Sequence, residues 1–186
     1  MTVRILFSPE ERQYTGRELC SHFAYRTWDL PGDSVVAFTG MCWVEPEALV
    51  DLADRKAGAS IFSRRMLHFI IEHFDRDLRL AVWRQRLFAA IVQQELQQRG
   101  VAHVVRRGDD LFVGEAKLSV SVATASPVST LVHFGINIDA QGAPVPALGL
   151  GDFRIDPRTF ALAVMEAYRQ EWLGIEDART KVRAVP

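Results

Sequence analysis

Apolar residues recur at helical spacing over Asp77–Arg99, and this segment is the best-defined predicted helix of the chain. Gly100 follows it as a C-terminal stop signal. The apolar stripe that should face the core consists of Leu80, Trp83, Leu87, Phe88, Ile91 and Val92. A final helix is predicted to begin at Asp156-Pro157, where a capping side chain precedes a proline, and to run to about Leu173.

Two shorter helices are predicted in the first third of the chain. The segment Thr15-Gly-Arg-Glu18 has the pattern of a capping box, in which the hydroxyl and the carboxylate satisfy each other's backbone amides. The helix that it opens should run to about Trp28. Pro46 should open a second short helix that ends near Gly58.

Short apolar runs and alternating apolar and polar residues predict the strands. Met66–Phe74 also fits a helix, but the alternation of Leu67, Phe69 and Ile71 with their neighbours favours a strand. The predicted strands are Val3–Phe7, Asp33–Thr39, Met66–Phe74, Val101–Val105, Leu111–Val113, Ala116–Ala125 and Thr130–Ile138. Helices that flank a largely antiparallel sheet make this an α+β (mixed α/β) protein.

Composition limits the classes of function. The 186 residues fit one domain, residues 1–186, because no repeat or linker divides them. The formal net charge of −1 leaves no basic surface for a nucleic-acid backbone, so we expect no nucleic-acid partner. No run reaches the roughly 18 apolar residues that a membrane span needs, and the N-terminal apolar run is too short for a signal peptide. The sequence therefore predicts a cytoplasmic protein.

Two neighbouring predicted strands, Ala116–Ala125 and Thr130–Ile138, carry the most informative polar residues. Side chains alternate across a strand, so each strand should have one apolar and one polar face. If the strands pair, the polar face combines Lys117, Ser119, Ser121, His133, Gly135 and Asn137. Serine, glycine and asparagine are poor strand formers, but they leave volume and present hydrogen-bonding groups. We interpret this face as the floor of a ligand-binding pocket; the alternative is a solvated sheet face.

Lys117 is the candidate catalytic residue. Only three of the 22 basic residues are lysines, so this sequence usually uses arginine where any positive charge is enough. A lysine at this position indicates a need for a compact primary amine. It could hold phosphate or carboxylate oxygens as a point charge, or act as an amine nucleophile.

Four residues are weaker candidates. Arg107 belongs to a charged turn that could contact phosphate or Mg²⁺, although a plain hairpin turn fits equally well. His68 and Glu72 share one strand face, where a satisfied core histidine is the expected role. This pair lacks further ligands, so no metal site is predicted. Arg26 ends the first helix, where a cation usually interacts with the helix dipole.

The residues around Lys117 resemble those of the lipoate and biotin protein ligases. The stretch from Arg107-Gly-Asp-Asp110 through Lys117-Leu-Ser-Val-Ser is similar to the lipoate ligase pattern GRNDL…KxSGSA. Val132-His133-Phe134-Gly135 lies at the position of the ligases' HHG signature. Other segments, among them Tyr25-Arg-Thr-Trp28 and Met66-Leu-His-Phe69, resemble the domain-of-unknown-function 366 family of prokaryotic proteins. That family is grouped with the class II aminoacyl-tRNA synthetase-like fold of the ligases.

The resemblance implies a ligase-like fold, a small carboxylic acid as ligand, and ATP with Mg²⁺ as cofactors. Lys117 would bind the acyl carbonyl and the adenylate phosphate. Asp109 or Asp110 would lie by the nucleotide or its metal, and His133 and Gly135 would line the acyl slot. The segment that corresponds to the ligases' glycine-rich loop, residues 54–60, contains a single glycine.

Three functional hypotheses result. In the first, the protein is an enzyme that activates or transfers a small carboxylic acid by means of ATP. In the second, it binds a small metabolite on the same face, and adenylation has been lost. In the third, it is a structural homodimer whose polar face is solvated.

Overall fold

The computed structural model describes residues 2–185, and over that range the chain forms eight strands and four α-helices. The strands are β1 (Arg4–Phe7), β2 (Ser34–Val44), β3 (Ile61–His73), β4 (Val104–Arg107), β5 (Asp110–Val113), β6 (Ala116–Lys117), β7 (Ser119–Ala125) and β8 (Thr130–Asp139). The helices are α1 (Phe23–Trp28), α2 (Leu52–Lys56), α3 (Leu78–Gln98) and α4 (Pro157–Thr180).

The strands form a large sheet and a small one. The five-stranded sheet has the order β1-β2-β3-β8-β7, and the three-stranded sheet has the order β4-β5-β6. β1 is parallel to β2, and all other neighbouring strands are antiparallel. The predicted α+β class with a largely antiparallel sheet is confirmed, and so is the choice of strand over helix for Met66–Phe74.

The main core lies between the large sheet and the helices α3 and α4. Alternate residues of β3 and β8, such as Phe69 and Phe134, pack here against Phe88 of α3 and Tyr168 of α4. Asp77 caps α3 by accepting a hydrogen bond from the Leu80 amide at 3.0 Å. None of the described helices combines the length and apolarity needed to cross a membrane.

The predicted apolar stripe of α3 is wrong in its first two turns. Leu80 and Trp83 are 39% and 69% exposed, whereas Arg84 and Gln85 are buried. Arg84 can be buried because its guanidinium contacts the Asp75 carboxylate at 2.6 Å and lies over the Trp172 ring at 5.0 Å. A paired and stacked arginine therefore occupies a position at which the apolar pattern expected a hydrophobic residue.

Residues before α1 and between α1 and β2 cover the second face of the large sheet. The predicted capping box forms, since the Thr15 amide donates to Glu18 Oε2 at 2.8 Å. However, α1 begins only at Phe23, because His22 has a left-handed conformation and donates its amide to Glu72 Oε1 at 2.7 Å. The predicted helix after Pro46 is likewise divided into a 3-10 turn and α2. The final helix is longer than predicted.

Candidate ligand-binding cleft

The predicted strand Ala116–Ala125 is interrupted at Leu118, and its two parts belong to different sheets. β6 pairs with β5, whereas β7 is the edge strand of the large sheet and pairs with β8. Leu118 connects the two sheets: its amide donates to the Leu111 carbonyl at 2.8 Å, and its carbonyl accepts from the Asn137 amide at 2.9 Å. Lys117 therefore does not share a strand or a sheet face with the serines, and that prediction is wrong.

The register of β7 against β8 also reverses the predicted faces. Ser121 is paired with Phe134, and Val122 is paired with His133. Directly opposed residues of an antiparallel pair lie on the same face. Ser121 and Ser119 are therefore on the core face, and the valines of β7 are on the face of His133.

Hydrogen bonds explain why two serines are accommodated on the core face. Ser119 Oγ accepts from the Leu111 amide at 2.9 Å. Ser121 Oγ accepts from Gln85 Nε2 at 2.9 Å and donates to the His133 carbonyl at 2.9 Å. Hydroxyls with such partners cost little to bury. Both serines border the cleft described below as part of the edge strand, but their hydroxyls are engaged elsewhere.

A cleft of about 510 Å³ lies over the second face of the large sheet and reaches the small sheet. This volume is typical of small-molecule sites. Val120 and Val122 of β7 and Met66 of β3 supply apolar lining. The remaining lining comes from residues 14–16, 42–62, 109–119 and 133–147. All residues of the predicted polar face except Gly135 therefore border a cleft, but the floor of this cleft is more apolar than predicted.

Lys117 borders this cleft and forms an ion pair in it. Its Nζ lies 2.7 Å from Asp110 Oδ2, and the two side chains are 30% and 27% exposed. Burial raises the pKa of the Asp110 carboxyl, and the nearby Lys117 ammonium opposes that effect. The Lys117 backbone is fixed by hydrogen bonds to Pro146 and Leu148, at 2.9 and 3.2 Å. The ammonium is thus held at a defined place beside an apolar floor.

Asp109 also borders the cleft, but both of its carboxylate oxygens are occupied. Gln85 Nε2 donates to Oδ2 at 2.7 Å, and Arg86 Nη1 lies 3.0 Å from Oδ1. Both partners belong to α3, so Asp109 ties the turn between β4 and β5 to that helix. Of the two predicted aspartates, Asp110 has the carboxylate that is paired only with the cleft lysine.

His133 lies under Tyr14 and beside His68. The Tyr14 ring stacks on the His133 ring with 3.7 Å between centroids and 10° between planes. His133 Nε2 is 3.1 Å from His68 Nδ1, and His68 Nε2 is 3.3 Å from the Gly40 carbonyl oxygen. Burial lowers the pKa of His68 to about 3 and that of His133 well below its ordinary value of 6.5. Both rings are therefore neutral at physiological pH.

Gly135 and Asn137 have roles that the sequence did not indicate. A Cβ on Gly135 would lie 2.3 Å from Met66 Sδ, so methionine sulfur, not empty space, fills the volume above this glycine. Asn137 Nδ2 donates to the carbonyls of Lys117 and Leu148 at 3.3 and 3.2 Å. Its amide thus connects β8 to β6 and to the loop that follows β8.

The weaker candidates lie outside the cleft lining. His68 is a satisfied core histidine, as predicted, and Glu72 is buried where it accepts from the His22 amide and from Ser129 Oγ at 2.7 Å each. Arg26 donates to Cys20 Sγ at 3.3 Å on the surface. Arg107 lies 4.9 Å from the centre of the Phe112 ring.

Tyr14 is the main cleft residue that sequence reasoning missed. Its amide donates to the Met41 carbonyl at 2.9 Å, and the Trp43 amide donates to its carbonyl at 3.0 Å, so it is attached to β2. Tyr14 precedes the predicted capping box, in a segment without periodic pattern. No signal in the chain indicated that this segment would cross the face of the sheet.

Comparison with known proteins identifies the family. The chain belongs to the family described as "Domain of unknown function (DUF366)", whose model matches residues 3–183. The uncharacterized protein MJ0805 of Methanocaldococcus jannaschii is 36% identical over 157 residues, which cover 81% of this chain and 71% of that protein. A solved protein of unknown function from Pyrococcus horikoshi is 36% identical and superposes over 100% of both chains with a TM-score of 0.94.

Biotin and lipoate protein ligases share the fold at low sequence identity. A mutant of the biotin protein ligase from Aquifex aeolicus, solved in complex with biotin, is 13% identical, with a TM-score of 0.62 over 95% of this chain and 73% of that chain. The same enzyme has been solved with biotin and ATP, with a TM-score of 0.56. The putative lipoate protein ligase Ta0514 of T. acidophilum, with bound lipoic acid, gives 0.55 at 17% identity over 90% of this chain and 86% of that chain. The predicted ligase-like fold is confirmed.

Proposed function

We propose that this member of the DUF366 family binds a small carboxylic acid in the cleft and activates it with ATP. The observation that carries the proposal is the position of Lys117, whose ammonium lies beside the apolar floor of Val120 and Val122. An apolar slot next to one fixed cation suits an acid with an apolar chain. The fold is that of ligases solved with biotin and ATP, which supports a nucleotide as the second substrate.

ATP would supply the activating group: a carboxylate oxygen forms a bond to the α-phosphorus, the bond to the bridging oxygen breaks, and pyrophosphate leaves with the electron pair. Lys117 would hold the carboxylate and stabilise the negative charge that develops on the phosphate oxygens. For this, its ammonium must turn from Asp110 to the ligand. Asp110, freed from that pair, is the carboxylate that would lie nearest to the nucleotide or its Mg²⁺, because Asp109 is bound to α3.

Pyrophosphate exchange tests this proposal. We expect incorporation of labelled pyrophosphate into ATP only when a suitable acid is present, and a series of unbranched and ring-bearing acids should identify which one. Lys117→Ala should reduce exchange by about a hundredfold or more, which corresponds to losing one preorganised charge contact. Lys181→Ala is the matched control, since Lys181 lies exposed at the end of α4, paired with Asp177. Exchange that survives in Lys117→Ala would contradict the proposed role.

Lys117→Arg separates a point charge from a generic cation. The guanidinium keeps the positive charge, but it is larger and planar, so we expect exchange to remain low. Circular dichroism and urea unfolding should show that both variants stay folded, because an ion pair between two partly exposed side chains contributes little stability. Full activity with arginine would show that the ammonium has no special role.

A second candidate function is binding of a metabolite without adenylation. Two observations favour it. Residues 54–60, at the position of the ligases' glycine-rich loop, form the end of α2 and a turn with Gly58 as the only glycine. Among the described residues, the cleft is also bordered by Asp51, Asp54, Asp109 and Asp110 but by a single cation, Lys117, and such an acidic lining disfavours a triphosphate. At a hundredfold excess of ATP with Mg²⁺ over the expected dissociation constant, binding would add about 2.7 kcal/mol to the free energy of unfolding. If the melting temperature does not rise under these conditions, metabolite binding without adenylation replaces the first function.

A further inference from the structure

His68 and His133 form a buried pair whose hydrogen bonds determine where each proton lies. His68 Nε2 is 3.3 Å from the Gly40 carbonyl oxygen, which can only accept, so Nε2 carries the proton. Because burial keeps His68 neutral, its Nδ1 is an acceptor. The atom 3.1 Å from that Nδ1 is Nε2 of His133, which must therefore be the donor.

The other ring nitrogen of His133 is consequently an acceptor. Burial and the neighbouring His68 lower the pKa of His133, so its ring holds a single proton, and that proton is on Nε2. Nδ1 then presents a lone pair. No residue in the described range 2–185 donates a hydrogen bond to it.

The position of the ring turns this lone pair toward the cleft. Cε1 of His133 is 3.2 Å from the place of a Cβ on Gly135, and Nε2 is turned toward β3. In the imidazole ring Nδ1 lies on the other side of Cε1 from Nε2, so it is turned away from β3. Among the described residues, the fully enclosed side-chain nitrogen and oxygen atoms without a partner are Ser34 Oγ and Arg84 Nε. Nδ1 of His133 also lacks a partner but is not one of these enclosed atoms, so part of its surface is exposed. Because His133 lines the cleft, Nδ1 is open to the cleft.

The hydroxyl of Tyr14 is a second polar group without a partner at the same place. Tyr14 is 3% exposed, and its hydroxyl forms no hydrogen bond with any residue that the structure describes. This hydroxyl is likewise not one of the fully enclosed atoms without a partner, so it is also open to the cleft that Tyr14 lines. Burial raises the pKa of Tyr14, so the hydroxyl stays protonated. A fixed acceptor and a hydroxyl thus lie on stacked rings in the lining of the cleft.

We propose that His133 Nδ1 and the Tyr14 hydroxyl select an acid that carries a neutral N–H or O–H donor, such as an amide, urea or hydroxyl, on the part that enters the cleft. This inference rests on the proposed function, because it takes the ligand to be an acid whose carboxylate turns to Lys117. His133 is the specificity-determining residue, and His68 is a positioning residue that holds its tautomer. A plain aliphatic acid would leave both groups without a partner, which weakens binding.

Nitrogen NMR on the protein with ¹⁵N-labelled histidine tests the first half of the inference. Both His68 and His133 should appear as neutral rings protonated on Nε2, with His68→Gln and His133→Phe used for assignment. His68→Gln should keep the His133 tautomer, because a glutamine amide can donate to the Gly40 carbonyl and accept from His133. A proton on Nδ1 of His133 in the wild type would overturn the inference.

Calorimetric titration tests the second half. The probes are the unbranched acids from butanoic to decanoic acid and the same acids with a terminal hydroxyl or amide. At the best chain length we expect the donor-bearing acid to bind about tenfold tighter than the methyl-ended one, as for a site built around a hydrogen-bond acceptor. His133→Phe, which keeps a ring under Tyr14, should abolish this preference, so that the two acids of each matched pair bind equally. Tyr14→Phe should reduce the preference, and His68→Gln should retain it.

The outcomes separate this inference from the proposed function. Acids that bind without a donor preference, or a preference that persists in His133→Phe, would overturn the inference and leave the proposed function standing. A donor preference without pyrophosphate exchange would support the inference and remove only the activation step. If no acid of either series binds, the acid-binding function and the selectivity built on it both fail, whatever the tautomer.

Discussion

Acidification should destabilise the protein through the buried histidine pair. The pKa of His68 is lowered by burial from 6.5 to about 3, and burial lowers the pKa of His133 in the same direction. Between the two pKa values the unfolded chain binds more protons than the folded one, so the free energy of unfolding falls as the pH falls. The contribution of neutral His68 is complete above pH 6.5 and is lost toward pH 3.

The magnitude follows from the size of the shift. Each pH unit below the unfolded pKa costs about 1.4 kcal/mol for one histidine that must stay neutral. At about pH 5 the loss attributable to His68 is therefore about 2 kcal/mol. A proton on either ring of the pair opposes a proton on the other, so this figure describes the first proton that the pair takes up.

Urea unfolding at about pH 7.5 and at about pH 5 measures this loss. The comparison of interest is between the wild type and His68→Gln, which removes one titrating ring but can keep both hydrogen bonds of the pair. We expect the variant to be close to the wild type at the higher pH and to lose less free energy on acidification. Equal losses in the two proteins would show that His68 does not resist protonation, and the tautomer argument would fail with it.

Two further predictions concern packing and charge. Gly40→Ala should lower the free energy of unfolding by about 3 kcal/mol or more, because its Cβ would lie 2.0 Å from the Arg12 carbonyl oxygen. Gly174→Ala is the control: its Cβ would have nothing within 4 Å, so the free energy of unfolding should rise by up to about 1 kcal/mol. Equal effects of the two substitutions in urea unfolding would contradict the close contact at Gly40. Asp110→Asn should strengthen the binding of carboxylate probes, measured by titration calorimetry, because Lys117 loses its partner; weaker binding would show that the pair itself forms the site.

The elements that could be predicted are those in which one physical signal dominates. α3 and β8 have clear periodic patterns and were found nearly to the residue, although the buried face of α3 was misplaced. Arg84 is buried there because Asp75 and Thr130 offer partners, and Gln85 is buried because it donates to Asp109 and Ser121. A helical pattern records the hydrophobicity of each side chain, and it cannot record a partner that only the folded chain supplies.

The reversal of the β7 faces has a related cause. One face of this strand packs against α3 and the small sheet, and the other face lines the cleft. Neither face is a plain solvent-exposed surface, so the polarity of the side chains does not distinguish the core face from the other face. Ser119 and Ser121 point into the protein because the Leu111 amide and Gln85 need acceptors there. The chain passes from the small sheet to the large sheet at Leu118, but apolar and polar residues alternate without a break through this point. The sequence pattern therefore looks like that of a single strand.

The Lys117–Asp110 pair gives a physical reason to regard the cleft as a site. A half-buried ion pair adds little to stability, so stability does not explain why the chain keeps a lysine here. The raised pKa of Asp110 shows that the fold removes its carboxylate from water more than the neighbouring ammonium compensates. Charged groups that are desolvated and imperfectly compensated in a cleft are characteristic of functional sites. The arginine-rich composition, which singles out Lys117, and the desolvation of Asp110 thus point to the same ion pair by independent routes.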